Sequence, residues 1–541
     1  MIHFFIKKQS YYPQENCTIR NKQEMTIFEE WLDANSLTHE PHQKEAVDWC
    51  LTREQALTNK GGIIADEMGL GKTIEILGTV YSNAVPNTLI VLPYSLILQW
   101  EKIIVKLMGI QPLIYHGSKR KNLTVEEIKL YPIVLTTYGL ISKKRQVTES
   151  MTQPTTPLPL FAIQWDRVIY DEAHHLRNEK TAVHKGARNL HTAITWLMTG
   201  TPIQNGEKDL FNLYKLLGFK NIKENIEMLV REHMLRRTKE KAGIVLPPCN
   251  ASIISVEWKY SKERLLSEHI HSRLKFSNLA ALQEQKEAGV ADASAADAEA
   301  SEPKLLETAF PLPIVGEKSH LKLLCKAKKM CVLPKLMKKK YRLVIDGVLQ
   351  QPRQQMVEML KNASKIEHVV KTILERKDNG KPKLVFCYFH GEIDEIYRLL
   401  KIQGINVAKF DGRTGKKERL QLLQEPKAVL IGQIDATNEG LNLQAYKEIY
   451  MVSPHWNPAV EDQAIARCHR IGQTEPVAVF HFIMNGFPTE ATAKVEDANT
   501  SAEEANVIDP KEPVLKALTL DQHICNVQDI KRKIVKKLLL F

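Results

Sequence analysis

Short continuous apolar runs alternate with amphipathic stretches along two long portions of the chain. In the first portion GGII (61–64), NTLIVLP (Asn87 to Pro93), PIVLTTY (Pro132 to Tyr138), RVIYDEAH (Arg167 to His174) and TWLMTGTP (Thr195 to Pro202) read as strands. They lack the in/out alternation of a half-exposed strand, so both faces are expected to be covered, and the helical patterns between them predict a parallel sheet. A second portion opens at Ser364 with the helical pattern KIEHVVKTIL and repeats the scheme with KLVFCYF (383–389), KAVLIGQI (427–434), EIYMVSP (448–454) and VAVFHFI (477–483). A helix is expected from about Glu392 to Lys401. The pattern predicts an α/β protein with two such domains in tandem.

The remaining segments are less regular. Residues 1–36 carry no readable chemistry and are expected to form an arm or an edge element. Leu37 to Arg53 is a predicted helix, with Ala46, Val47 and Cys50 on one face and Pro41 in its first turn. The first α/β domain is assigned to 37–245, and over 246–355 the pattern loosens into a stretch with insertions. Within the latter, Ala280 to Glu302 is rich in Ala, Glu and Asp and reads as a mobile insertion or an exposed helix. Lys322 to Arg342 carries nine basic residues and no acidic one. It predicts helices with a basic face, either lying on phosphates or simply solvated. The second α/β domain takes 356–485, an acidic alanine-rich stretch 486–516, and an amphipathic C-terminal helix 517–541 with Ile524, Val527, Ile530, Ile534 and Leu538 on one side. That helix is expected to pack on the body, a partner-binding helix being the alternative.

Composition narrows the setting. A chain of 541 residues needs several cores. Its net charge of +12 favours a polyanionic partner over a surplus of solubilising lysine. The eight cysteines include no CxxC pair, which leaves zinc modules and disulfide frameworks without support and suggests a reducing compartment. No stretch approaches the length of a membrane span, and MIHFFIKK does not read as a secretory leader.

Between GGII and the helical pattern TIEILGTVYS lies ADEMGLGKT, Ala65 to Thr73. Small residues let backbone N–H groups converge on anionic oxygens, and a helix starting there adds its positive end. Gly69, Gly71, Lys72 and Thr73 suit that task, with Lys72 for the β- and γ-phosphates of a nucleotide and the Thr73 hydroxyl for Mg2+. The pattern GxxxxGK[ST] asks for glycine where Asp66 stands, so read alone the string also fits an ordinary loop. Asp171 and Glu172 end a predicted strand, where ligands of parallel sheets bind. Asp171 can hold Mg2+ opposite Thr73, and Glu172 can deprotonate the water that attacks the γ-phosphate. Alone this pair would pass for a helix N-cap; the GKT upstream favours the catalytic reading. Thr199, Gly200, Thr201 and Gln204 follow the next strand and suit sensing of the released phosphate. Gln43 offers an amide to an adenine edge, although an isolated glutamine is more commonly a solvated surface residue. In the second domain Gln463, Arg467 and Arg470 are spaced i, i+4, i+7, which predicts one helix face presenting guanidiniums to a γ-phosphate in trans. A surface helix with two arginines is the alternative.

Ten strings occur in order: PHQ at Pro41, DEMGLGKT at Asp66, VLPYSLILQW at Val91, LTTY at Leu135, DEAH at Asp171, TGTPIQN at Thr199, RRTK at Arg236, FDGRTG at Phe410, GLNLQ at Gly440 and WNPAVEDQAIARCHRIGQ at Trp456. Together they resemble the Swi/Snf-type branch of the superfamily-two helicase-like ATPases, over roughly Leu37 to Ile483 plus the last helix and excluding the two acidic stretches. The HRIGQ ending is closest to members that accompany DNA repair and transcription and often carry a RING finger, which cannot be read in this chain. The resemblance implies two tandem RecA-like lobes with helical insertions, ATP and Mg2+ in the cleft, and double-stranded DNA across both, the segment after RRTK and the basic stretch before Ser364, within 246–355, being the helical protrusions of the two lobes. It further implies translocation on duplex DNA and remodelling of chromatin or other protein–DNA complexes, with nucleosomes or transcription and repair proteins as partners. Carried over by position, Lys72, Thr73, Asp171, Glu172, Arg467 and Arg470 do the chemistry. Asp66, Glu67, Met68, Gly69, Leu70 and Gly71 complete the nucleotide loop, and Gln43 reads adenine. Thr136, Gln204, Gly440 and Trp456 serve DNA contact or coupling. Thr437, Asn438 and Glu439 precede Gly440 where the family usually has two glycines, which leaves that loop's contact with DNA open. Nuclear location is the default, with cytoplasm or virion as the alternative for a large DNA virus. An RNA or RNA–DNA hybrid motor and a catalytically weak nucleic-acid-binding scaffold are the competing functions.

Overall fold

The computed structural model describes residues 25–142, 158–274, 317–337, 363–437, 442–487 and 518–539. The expected insertion 280–302, Gly440 and nearly all of the acidic stretch after Gly486 lie outside them. The chain divides into two compact units, Met1–Leu246 with Ile534–Phe541, and Pro247–Lys533.

The first unit is built on seven parallel strands: β1 (Gly61–Ile64), β2 (Thr88–Leu92), β3 (Leu113–Ile114), β4 (Ile133–Thr137), β5 (Gln164–Asp171), β6 (His191–Met198) and β7 (Met234–Leu235). Their order is β3-β4-β2-β5-β6-β1-β7. Successive side chains on each strand enter opposite cores: Leu89 and Val91 join one cluster with Val134, Val168 and Leu197, while Ile90 and Leu92 join another with Leu135, Ile169 and Trp196. This is why the runs are apolar without alternation. The sequence reading missed β3 and β7, which are two residues each and too short to show a period. Of the stretch 1–36 expected as an arm or an edge element, residues 25–36 are described. They include a helix, Ile27–Ala34, capped by a Thr26/Glu29 capping box, and Trp31 is buried with its indole N–H donating to the Leu107 carbonyl at 3.0 Å.

The second unit holds six parallel strands: β8 (Cys249–Val256), β9 (Lys383–Cys387), β10 (Val407–Phe410), β11 (Val429–Gln433), β12 (Glu448–Met451) and β13 (Val477–Met484), in the order β10-β11-β9-β12-β13-β8. The two-faced core recurs, with Val385 and Ile431 on one side and Leu384 and Leu430 on the other. Two parallel sheets covered by helices agree with the tandem RecA-like fold. β8 comes from the stretch expected to be protrusions. It lies at the sheet edge, mostly exposed, and its polar CNAS start conceals it as a strand. In the basic run, the helix Glu317–Val332 turns Lys328 inward, its ammonium 3.6 Å from the Tyr388 ring centre, so the run is not wholly a solvated face. The C-terminal helix extends over Leu520–Leu539, with Ile524 and Val527 buried as expected.

Candidate nucleotide site

One row of backbone register assembles the first unit's site. Leu235 pairs with Ile64, Ile64 with Met198, and Met198 with Asp171. The residues that follow these four are Arg236, Ala65, Thr199 and Glu172, so RRTK, the phosphate loop, TGTP and DEAH leave the sheet at one level, at the carboxyl ends of adjacent strands.

The loop 65–71 leads into the helix Lys72–Ser82. Gly69 and Gly71 have φ of 95° and 96°, a region that side chains with Cβ avoid, and Gly71 is the N-cap. A Cβ at Gly71 would also strike the Gln43 amide. Gln43 stands on the first turn of the helix Pro41–Gln55, with Pro41 at its start. It is buried, and its Nε2 donates to the Leu70 carbonyl at 3.2 Å, leaving the amide's second N–H and its carbonyl oxygen for other partners. His42 contacts the same carbonyl at 2.9 Å. Lys72 lies over its own loop, Nζ donating to the carbonyls of Asp66 at 2.7 Å and Glu67 at 3.2 Å. Burial lowers the Lys72 pKa, opposed by the charges of Glu172, Glu75, Asp66 and Asp171. Met68 packs against Gly200, where a Cβ would stand 2.6 Å from its Cγ. Thr73, half-buried, occupies the helix's first turn.

Asp171 closes β5. Its Oδ2 accepts from the Trp100 indole at 2.9 Å, its Oδ1 from the Glu172 N–H at 3.0 Å, and its backbone carbonyl from the Tyr138 hydroxyl at 2.6 Å. Burial and the Glu172 charge raise its pKa to about 6. Glu172 has φ 54°, a left-handed conformation uncommon for a residue with a side chain, and its carboxylate lies 3.3 Å from His174 Nδ1. Thr199 Oγ1 meets the same nitrogen at 3.4 Å, and Gln204 donates to Thr201 Oγ1 at 3.2 Å. TGTP is thereby wired to DEAH. Thr136 is fully buried and its hydroxyl donates to the Tyr115 carbonyl, which places it behind the surface and suits coupling better than contact.

Asp66 does not line the loop's open side. Its carboxylate is fully buried and pairs with Arg237, while Glu67 pairs with Lys239 at 3.1 Å. Trp100, Tyr138, Glu75 and both arginines of RRTK are site residues that the sequence reading did not assign. The strings VLPYSLILQW, LTTY and RRTK were the available signal for all of these but Glu75.

The second unit corrects one expectation. The helix Pro458–Ala466 ends before the arginines, so Gln463 is on it, Arg467 is its C-cap and Arg470 follows in a turn. The i, i+4, i+7 face is broken because Gln473 draws the chain round, its Nε2 donating to the carbonyls of Cys468 at 2.9 Å and Gln444 at 3.0 Å. Burial and then the Arg467 charge lower the Arg470 pKa, and Arg470 has no carboxylate partner among the described residues. Trp456 packs against the unit's core and meets His523 edge-on at 6.3 Å.

Residues 42–227 match the SNF2-related domain and 364–472 the helicase conserved C-terminal domain, together more than half of the chain. The chain is 27% identical to an uncharacterized ATP-dependent helicase of Schizosaccharomyces pombe, over 84% of this chain and 59% of that protein. It is 26% identical to a probable global transactivator of Orgyia pseudotsugata multicapsid polyhedrosis virus, over 84% and 87%. A mouse DNA excision repair protein ERCC-6-like is 27% identical over 82% of this chain and 40% of that protein. The chain thus spans about three fifths of the yeast relative and two fifths of the mouse one. With both domain models matched in order, the chain belongs to the Swi/Snf-type, SNF2-related family of helicase-like ATPases.

Proposed function

We propose that the protein is an ATP-driven translocase on duplex DNA that remodels protein–DNA complexes. The observation that carries the reading is the single register row that brings the phosphate loop, DEAH and TGTP to one level. In this reading Gln43 pairs with the adenine edge through the amide groups that Leu70 leaves open. Lys72 exchanges the loop carbonyls for the β- and γ-phosphate oxygens, an exchange favoured because burial penalises its charge until an anion arrives. Glu172 accepts a proton as a water oxygen bonds to the γ-phosphorus and the bond to the β–γ bridging oxygen breaks, releasing ADP and phosphate. Arg467 and Arg470 act on the charge that develops on the transferring group.

The donor set fits Mg2+: a helix-N-terminal hydroxyl at Thr73 and an ionisable carboxylate at Asp171 whose orientation is fixed by two donors. When bound, the ion would neutralise phosphate charge. Thr199, Gln204 and the Glu172–His174 contact report phosphate release onward. Thr136, Trp456 and the loop around Gly440 belong to DNA coupling, with DNA recognised through its phosphates as the charge of +12 favours. A nuclear workplace accords with the chromatin- and repair-related names among the relatives, a viral one with the transactivator.

The test is ATP turnover with and without duplex DNA, repeated across salt, in the wild type and in Lys72→Ala. Stimulation by duplex DNA that fades as salt rises and vanishes in the variant is the expected result. Turnover indifferent to duplex DNA overturns the proposal; stimulation by RNA alone indicates the RNA motor, and binding without hydrolysis the scaffold.

A further inference from the structure

RRTK, Arg236 to Lys239, is a string to which the reaction described above gives no task. Every one of its charged side chains grips the nucleotide site. Arg236 Nη1 donates to the Ala65 carbonyl at 2.8 Å and approaches that of Gly200 at 3.5 Å. Arg237 places Nε 3.0 Å from Asp66 Oδ2 and Nη2 3.1 Å from Glu75 Oε1, pairs Nη2 with Asp66, and donates Nη1 to the His42 carbonyl. Lys239 holds the Glu67 carboxylate through its backbone N–H at 2.9 Å and its ammonium at 3.1 Å. The backbones interlock as well: Ala65 N–H donates to the Leu235 carbonyl at 2.7 Å and Glu67 N–H to that of Arg237 at 2.9 Å, while Asp66 Oδ1 accepts from Arg237 N–H at 2.8 Å. The contacts thus alternate residue by residue along the loop's first three positions.

From this geometry we infer that RRTK is a clamp that pre-forms the phosphate loop, with Arg237 as the positioning residue joining the loop to the helix that carries Gln43. One planar guanidinium serves three segments: the loop at Asp66, the helix behind it at Glu75, and the adenine-reading helix at His42. Only a fork can do so, and a lysine could not. Asp66 and Glu75 are both fully buried, so without Arg237 two carboxylates would face each other in the core. Asp66, standing where the common loop pattern has glycine, is then an anchor rather than a nucleotide ligand. The clamp rests on the proposed ATP reading for its substrate and on Gln43 for its effect on the base.

Its consequence is kinetic. A loop formed in advance does not pay its ordering entropy on binding, so loosening the clamp weakens nucleotide capture while a saturated site still turns over. The test uses the full chain in Arg237→Lys, Arg237→Gln, Asp66→Asn and the Arg237→Gln/Asp66→Asn pair, with circular dichroism and melting to select folded variants. Affinity for a fluorescent ATP analogue is read beside steady-state turnover and ATP/GTP preference. Arg237→Lys is expected to raise the ATP KM about tenfold with kcat within about twofold, and to narrow the ATP/GTP preference. The paired variant should lose no more than the worse single one, because both changes cut one connection. A merely structural residue would lower melting and kcat and leave KM and base preference alone. Unchanged analogue affinity in folded Arg237→Lys overturns the clamp, as do single effects that multiply in the pair. Analogue binding needs no hydrolysis, so absent turnover in the wild type would count against the ATPase proposal and not against the clamp. A Gln43→Ala chain with unaltered ATP/GTP preference would remove only the base-selectivity arm.

Discussion

Replacing Trp100 by Phe tests whether the carboxylate proposed to hold Mg2+ is held by a group outside the phosphate site. Trp100 is 2% exposed on the helix Ile97–Met108, and its indole N–H is one of two donors to the Asp171 carboxylate, at 2.9 Å. Phenylalanine keeps the apolar wall and deletes the donor, which for a charged acceptor is worth about 1.5–3 kcal/mol. The Glu172 N–H and the Tyr138 hydroxyl on the Asp171 carbonyl remain, so the strand end stays in place and the carboxylate alone gains rotational freedom. Losing an outer partner of a metal ligand typically costs about 10–100-fold in affinity. The expected result is a Mg2+ half-saturation of ATP turnover raised by at least about tenfold, with kcat largely restored at high Mg2+. Ile104→Val is the control: Ile104 is fully buried on the same helix, so the change costs about 1 kcal/mol of packing but no donor. A Trp100→Phe chain with wild-type Mg2+ dependence, or an Ile104→Val chain shifted as far, would refute the reasoning.

Two further outcomes concern stability. Arg167 and Glu54 are both fully buried, with Nε donating to Oε1 at 2.7 Å and Nη2 to Oε2 at 2.6 Å, and Glu54 also accepts from Trp196 and Asn83. Arg167→Met strands that carboxylate and should cost about 3–5 kcal/mol in melts of the chain, while Arg167→Met/Glu54→Gln should recover part of the loss; a double variant worse than the single would contradict this. In the second unit, burial raises the Glu263 pKa to about 7, against the Ser364 hydrogen bonds. Its folded pKa lies above the unfolded one, so its protonated form is favoured by folding and stability falls as pH rises from about 4.5 to 7. Glu263→Gln should therefore gain on the wild type by up to about 3 kcal/mol at pH 8 and little at pH 4, read by melts at both; equal gaps at the two pH values would exclude Glu263 as the cause.

What the chain discloses before folding follows from how local each interaction is. The sheets were legible because burial on both faces demands continuous apolar runs such as TLIVL and GGII, and the phosphate loop because its glycines answer a backbone requirement at Gly69 and Gly71. β7 and β8 were not, being two residues long in one case and a polar edge in the other. Arg470 was misplaced for a related reason: a helical spacing counts residues, whereas the Gln473 amide that ends the helix acts back across the turn. The Asp66–Arg237 pair shows the limit most sharply. The residues are 171 positions apart, and nothing in either string predicts that they meet. Asp66 counts against a phosphate loop when the loop is judged alone, since it replaces a glycine whose absence of side chain the pattern requires. Beside Arg237 the carboxylate is turned out of the loop and into the core, so the side chain that glycine would lack becomes the attachment that holds the loop open.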